Sequence, residues 1–506
     1  MPVGIDFGTT RTIVASVDRG NYPVVSFLDP DGDAHEYFPS VVALAGGALL
    51  YGFDALAAAA DGAPLLRSFK RALAEPDVNT ATTLRIGDQD IPLLDVLTGF
   101  ATALRTALGT RSSLGELDTT RTVIAVPAHA HGAQRFLTLE AFKGAGFTVT
   151  AMVNEPSAAG FEYSHRRGRT LNSRRTRVLV YDLGGGTFDA SLVHVDGTSH
   201  EVLDSIGLNH LGGDDFDAVL AGLALDAAGI TRADLEPRAL ASLLEECRDA
   251  KEHLAPQSKR VALEVDGMPV TVPVVGFYEA AAHLVEATVD AMGPLVGGLD
   301  DTGQADVAGL ADVAGIYLVG GASGLPLVPR LLRERFGRRV HRSPYPAAST
   351  AIGLAIAADD AAGFSLVDRL SRGFGVFREA SGGRALSFDP ILSRDERVSA
   401  TAEVVVTRHY RAAHNVGWYR FVEYSSVDER GEPRGDLVPF AEVVFPFDPA
   451  LQQAGDLRAV EVERRERGPL VEERYTIDTH GIVEVQITDL VTGYSLTRSF
   501  SARDGG

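Results

Sequence analysis

Apolar and polar positions give the chain two textures. Up to about residue 360, short continuous apolar runs end in acids, glycines and threonines and are separated by stretches of helical period; from Gly373 onward apolar and polar residues alternate. The clearest run is Val178-Leu179-Val180-Tyr181-Asp182-Leu183, which meets Gly184-Gly185-Gly186-Thr187 and leaves as Phe188-Asp189-Ala190-Ser191-Leu192-Val193. This predicts strand, tight turn, strand. Val3-Gly4-Ile5-Asp6-Phe7, Gly8-Thr9-Thr10 and Arg11-Thr12-Ile13-Val14-Ala15 repeat that grammar near the start, and two such hairpins far apart predict a duplicated domain. Ile316 to Val319, followed by Gly320-Gly321-Ala322-Ser323-Gly324, predicts a strand passing into a helix.

Between these landmarks, Asp29-Pro30-Asp31-Gly32-Asp33 is a turn and Phe38 to Val42 a strand entry. Thr122 to Val126 is an apolar strand stopped by Pro127. Residues 54–60, 133–144, 241–254 and 344–358 read as helices; in the third, Leu243, Leu244, Cys247, Ala250 and Leu254 share one stripe. In the last part Val398 to Val406 and Val483 to Ile487 alternate between dense turn signals, Glu429-Arg430-Gly431-Glu432 and Thr479-His480-Gly481 among them. An antiparallel β-domain follows from that pattern.

Successive glycines allow positive φ and close backbone approach, and a turn of that kind can aim N–H groups at phosphate oxygens. Asp182 and Asp189 flank the turn, which suits a magnesium ion held largely through water. An ordinary hairpin has the same look; two facing each other across a cleft would grip a polyphosphate from both sides. Lys70, in Phe69-Lys70-Arg71, is either a mobile point charge for phosphate or a surface lysine on a helix. Glu155, just before Pro156, is a carboxylate able to order a water, a first-turn acid favoured by the helix dipole, or both. His129 and His131 lack an evident third ligand, so a polar loop is expected there rather than a metal site. His165 to Arg177 carries six arginines and reads as a solvated crossover loop.

Taken together, the motifs resemble the seventy-kilodalton heat-shock chaperones (DnaK type). The carriers are Gly4 to Thr10, Phe69-Lys70-Arg71, Val126-Pro127-Ala128, Ala133-Gln134-Arg135, Asn154-Glu155-Pro156-Ser157-Ala158-Ala159, Asp182 to Asp189, His210 to Asp217 and Val319-Gly320-Gly321. The resemblance implies an α/β fold: a two-lobed, actin-like ATPase domain of duplicated ribonuclease-H-like folds, over 1–361, then a linker over 362–372 and an all-β sandwich over 373–506. It implies ATP and ADP as ligands with magnesium held by Asp6 and Asp182. Lys70, Glu155, Asp182, Thr187 and Asp189 would be catalytic. Gly8, Thr9, Thr10, Arg11, Gly184, Gly185, Gly186, Thr187, Gly212, Gly213, Asp214, Arg248, Lys251, Gly320, Gly321, Ala322 and Gly324 would line the nucleotide. Pro127 and Arg135 would link the nucleotide site to the second domain, or be a strand stop and a solvated arginine.

The departures from the family gather on the base pocket. Arg248, Glu252 and Ala255 stand where an acid, an arginine and a serine are usual; Gly324 replaces an arginine that stacks on adenine, Ala322 a serine and Ala347 an aspartate. Weak ADP binding and poor ATP-over-GTP discrimination are therefore expected. Phe364 to Asp368 resembles the interdomain linker, interrupted by Ser365, and the chain ends at Gly506 where a helical lid would follow, so a lid-free member is expected.

The net charge of −21 over 506 residues argues against nucleic acid or an anionic membrane as partner. One cysteine, Cys247, permits no intrachain disulfide. No signal peptide or long apolar span is visible, so a cytoplasmic location is expected. The first functional reading is an ATP-driven chaperone-like protein that holds extended apolar polypeptide in its β-domain, with co-chaperones or a nucleotide exchange factor as further partners. The second is a non-enzymatic scaffold with a relaxed nucleotide site. A small-molecule kinase of the same superfamily is disfavoured by the Asn154 to Ala159 stretch and the trailing β-domain, and no Walker lysine motif is present.

Overall fold

A computed structural model describes all residues except 115–120, 168–174, 209, 297–311, 364, 371, 381–384, 394–395, 399–401, 454–455 and 501–506. The chain forms two compact units, neither continuous in sequence: Met1–Arg71 with Thr102–Ala128 and Phe147–Leu366, and Ala72–Ala101 with His129–Gly146 and Val367–Gly506.

The first unit carries the expected duplication. One sheet runs in the order Val149–Asn154, Thr122–Val126, Val3–Phe7, Arg11–Ser16, Phe38–Pro39. In the other, five strands follow the same plan: Val340–Arg342, Val313–Val319, Arg177–Leu183, Phe188–Asp196, Ser199–Leu208. Each centres on a glycine-turn hairpin whose first strand pairs in parallel with a later strand, Val3–Phe7 with Thr122–Val126 and Arg177–Leu183 with Val313–Val319. These strands are buried along nearly their whole length, which is why they read as unbroken apolar runs.

The helix Glu155–Arg167 is shared by the two lobes. Ala158 and Phe161 pack with the first sheet's residues, Ala159 and Tyr163 with the second's. Its Glu162 is fully buried and meets Tyr317, Ser349 and Arg166, polar partners that offset the cost of desolvating the charge. The helix Ser349–Ala358 crosses it so closely that a Cβ at Gly353 would collide with the Ala158 carbonyl. This helix begins later than the sequence suggested: Pro344 and Pro346 lie in the turn before it. The stripe of the helix Pro237–Glu252 buries Leu243 and Cys247 in the second lobe's core.

The second unit contains a β-sandwich, as the alternation requires. One sheet has the order Ala385–Leu392, Gly373–Ala380, Val416–Val427, Pro433–Pro446; the other Val404–Arg411, Leu470–Ile477, Val483–Asp489, Ser495–Arg498; every pair is antiparallel. Phe374, Phe421, Phe445, Tyr475, Ile477 and Val485 are among the core residues. The helix Gly132–Gly144 belongs to this unit: Glu423 accepts from the Gly132 N–H at 2.9 Å, and Arg135 Nε donates to the His480 carbonyl at 3.0 Å. Arg135 is therefore buried rather than solvated. His131 lies, as expected, in the loop between strand and helix, but the site is not solvated. It is buried, and its Nδ1 caps the helix by accepting from the Gln134 N–H.

Phe364, the start of the linker motif, lies outside the described residues, as do 168–174 of the arginine-rich stretch. Ser365–Arg369 forms a strand that pairs Asp368 with Val398 and Arg369 with Arg397. Among the described residues no helix is long and apolar enough to cross a membrane.

Candidate nucleotide site

Both glycine turns face one cleft. Gly8, Thr9, Thr10 and Arg11 of the first hairpin and Gly184, Gly185 and Thr187 of the second line it together with Asp6, Lys70, Glu155 and Asp182. The turns nearly touch: a Cβ at Gly185 would lie 2.7 Å from Thr10 Oγ1. That spacing is possible because position 185 carries no side chain. Gly320 has φ +82°, and a Cβ there would collide with Asp182 Oδ1. Two needs, left-handed backbone and room for a carboxylate, thus fix glycine at one position.

Acids gather at this cleft, Asp6 and Asp182 half-buried on its wall and Asp189 buried behind it. Asp6 and Asp182 sit on the paired strands before the turns, and Asp189 is the register partner of Asp182. Burial pushes the Asp6 carboxyl up to about 7, with the Glu155 charge adding and the Lys70 charge opposing. Asp189 rises to about 8 for the same reasons, and Asp182 is raised well above the ordinary carboxylate range by burial, then by Glu155, Asp6 and Asp189. Lys70 is the lysine at this cluster; its Nζ lies 3.1 Å from Glu155 Oε1 and 5.3 Å from the Phe7 ring centre. Ser68, two residues earlier, has φ +54°, a left-handed bend ahead of the short helix Phe69–Ala74 that carries the lysine.

Acids held together against their own repulsion favour a cation. Oxygen donors suit magnesium, yet no three acids or imidazoles among the described residues stand close enough to ligate a metal directly. Asp6 and Asp182 fit a magnesium ion held through its water shell.

The loop after the second lobe's strand Ser199–Leu208 is tied beneath the second hairpin. Gly213 N–H donates to the Gly184 carbonyl at 2.9 Å, Asp214 N–H to Gly185 at 2.7 Å, and Gly212 N–H to the Asp215 carboxylate at 2.8 Å. These three amides are spent on the fold, so the loop supports the turn rather than offering those N–H groups. Asp214 is gripped by Arg71 and Arg248, each at 3.1 Å. Lys251 is buried, 2.6 Å from Asp217 and 2.7 Å from the Gly213 carbonyl. Arg71 and Asp217 thus join the site; the sequence held them only within the motifs Phe69-Lys70-Arg71 and His210 to Asp217, with no role given to either.

Beside this cleft opens a cavity of about 980 Å³, lined by Glu252, Ala255, Ala322, Gly324 and Arg342 among others. The cleft and the cavity share Arg11, Lys251, Glu252, Gly321, Ala322 and Ala347. Arg11 donates to Glu252 at 2.8 Å and its guanidinium lies 4.4 Å from the Tyr37 ring centre.

The chain is similar to known chaperones. It is 34% identical over 378 residues to chaperone protein HscA of Klebsiella pneumoniae, across 71% of this chain and 58% of that protein. It is 33% identical over 393 residues to a chaperone protein HscA homolog of Pseudomonas fluorescens, across 72% and 58%. Chaperone protein DnaK of Thermotoga petrophila aligns over 517 residues at 29% identity, across 97% and 78%. The chain thus spans 58% of the length of the HscA relatives it matches. The family model described as Hsp70 protein matches residues 99–371, more than half of the chain, and the chain belongs to the Hsp70 family.

Proposed function

We propose that the protein is a chaperone that binds ATP and ADP with magnesium and hydrolyses ATP slowly. The observation that carries this is the pair of buried Lys70 and half-buried Glu155 set among Asp6, Asp182 and Asp189 at the mouth of two glycine turns. Backbone N–H groups of Gly8 to Thr10 and Gly185 to Thr187 hold the phosphates. Lys70 leaves Glu155 to reach the terminal phosphate, and Glu155, so released, orients the attacking water; Thr187 and Asp189 complete the positioning. Bound magnesium supplies charge neutralisation on the phosphates, held through water by Asp6 and Asp182. Positioning and electrostatics are the whole of such a mechanism. Lys70→Ala abolishes phosphate release while ATP binding stays largely intact; unchanged phosphate release in this variant removes Lys70 from the mechanism.

The β-sandwich holds extended apolar polypeptide by strand-like pairing. Support comes from the edge strand Val404–Arg411, whose Val405 is exposed. Co-chaperones or an exchange factor are the further partners. A nucleotide-binding scaffold without turnover is the second reading, favoured by the commitment of Arg248, Lys251 and Asp214 to one another and to the loop. Titration with labelled ATP, ADP and adenosine, beside steady-state phosphate release, separates the two: binding without turnover selects the scaffold.

A further inference from the structure

A nucleotide whose phosphates lie on the two hairpins sends its nucleoside into the 980 Å³ cavity, because the cleft and the cavity share one wall. Most charges on that wall are spent. Arg11 is paired with Glu252, Lys251 with Asp217, and the Arg330 guanidinium lies 5.2 Å from the Tyr278 ring centre. Arg342, like Arg333 and Glu334 of the helix Leu327–Phe336, has no hydrogen bond or ion pair with any described residue, and of the three only Arg342 stands against Gly324. Arg342 ends the strand Val340–Arg342, in register with Leu318 of the neighbouring parallel strand. Ligands of open α/β sheets bind beyond the carboxyl ends of such strands. Its guanidinium nitrogen lies 3.3 Å from the point that a Cβ at Gly324 would occupy. The bare glycine is therefore what leaves the guanidinium its place on the cavity wall.

We propose that Arg342 binds the nucleobase, its guanidinium lying against the planar ring over Gly324. The proposal rests on the nucleotide reading above and deepens it. A guanidinium stacks on any heteroaromatic face and is indifferent to the hydrogen-bonding edge. The ligand class is accordingly nucleoside di- and triphosphates, with ATP and GTP taken nearly alike.

The test compares calorimetric binding of Mg-ATP, Mg-GTP and Mg-tripolyphosphate, which has no nucleoside, to the wild-type chain, Arg342→Ala and Arg342→Ala/Gly324→Arg. Arg342→Ala should weaken ATP and GTP about tenfold, as expected of one cation–aromatic contact, and leave tripolyphosphate unchanged. The double variant should recover most of the loss, since a Cβ at 324 meets only the Arg342 guanidinium among the described residues beyond its chain neighbours, and that group is gone in Arg342→Ala. Wild-type ATP affinity in Arg342→Ala overturns the assignment, as does an equal loss for ATP and tripolyphosphate. A wild-type chain that binds none of the three ligands overturns the nucleotide reading itself, and the assignment with it. Unchanged melting of the variants by circular dichroism marks an affinity loss as the base contact's own, whereas a loss that tracks a lowered melting point overturns it.

Discussion

Gly320 combines φ +82° with a site where a Cβ would strike Asp182. Gly320→Ala is expected to cost about 1–2 kcal/mol from the left-handed backbone alone, and to lose magnesium-dependent nucleotide binding because the carboxylate must move. Urea unfolding and calorimetry read the two effects. His131 and His200 make a second test. Burial holds each imidazole down to about 4, from an ordinary value of 6.5, the Arg372 charge adding for His131. The unfolded chain takes up these protons first as pH falls, so their stability contribution is full above about pH 6.5 and is lost toward pH 4. His131→Asn, which keeps an oxygen for the cap, should flatten that acid decline in melting temperature; an unaltered slope would assign it to other groups. At this scale the hairpins were legible because their glycines and acids are contiguous in sequence. His131 was misread because a polar residue between helix and strand looks solvated, and Arg342 left no sign because its place depends on a missing side chain eighteen residues away.

Between elements, the sandwich is tied by a buried ionic group rather than by apolar contact alone. Arg378, on the strand Gly373–Ala380, reaches Glu473 of the opposite sheet through both oxygens at 2.6 and 2.7 Å, and Asp389 at 2.8 Å. Glu473 is fully buried and also accepts from Tyr410 and Tyr475. Its carboxyl is lowered: burial raises it, but the bonds and charge of Arg378 and the two hydroxyls prevail. Removing one member leaves the other charged and buried. Glu473→Ala should therefore destabilise the unit by about 3–5 kcal/mol, while Arg378→Met with Glu473→Leu should come close to wild type; equal losses in both, by denaturant unfolding, would locate the strength in the pair itself. Alternation in Val483 to Ile487 made these strands readable, since each puts one face on the core. The ionic tie was not readable, because strand register across two sheets decides which arginine meets which acid.

On the scale of the molecule, the split into discontinuous units was hidden from the sequence: the helix Gly132–Gly144 sits among early strands in the chain but joins the sandwich through Gly132 and Arg135. The duplication was visible, and with it the two lobes; if the proposed nucleotide lies between them, its release is expected to need them to part. In the first unit, Arg11 meets Glu252 at 2.8 Å, Arg67 meets Glu245 at 3.1 Å and Arg71 meets Asp214 at 3.1 Å. Every cation lies on the first lobe's stretch of chain and every acid on the second's. Each pair is partly exposed and contributes on the order of 0.2–1 kcal/mol, weakened by salt. Broken together on opening, they retard release by about tenfold at low ionic strength. The off-rate of a fluorescent ADP analogue should accordingly rise several-fold from low to high salt. Arg67→Glu should raise it at low salt only, and adding Glu245→Arg should restore the slow rate. A salt-independent off-rate would mean that opening does not break these pairs, and that the hairpins alone set how long nucleotide stays.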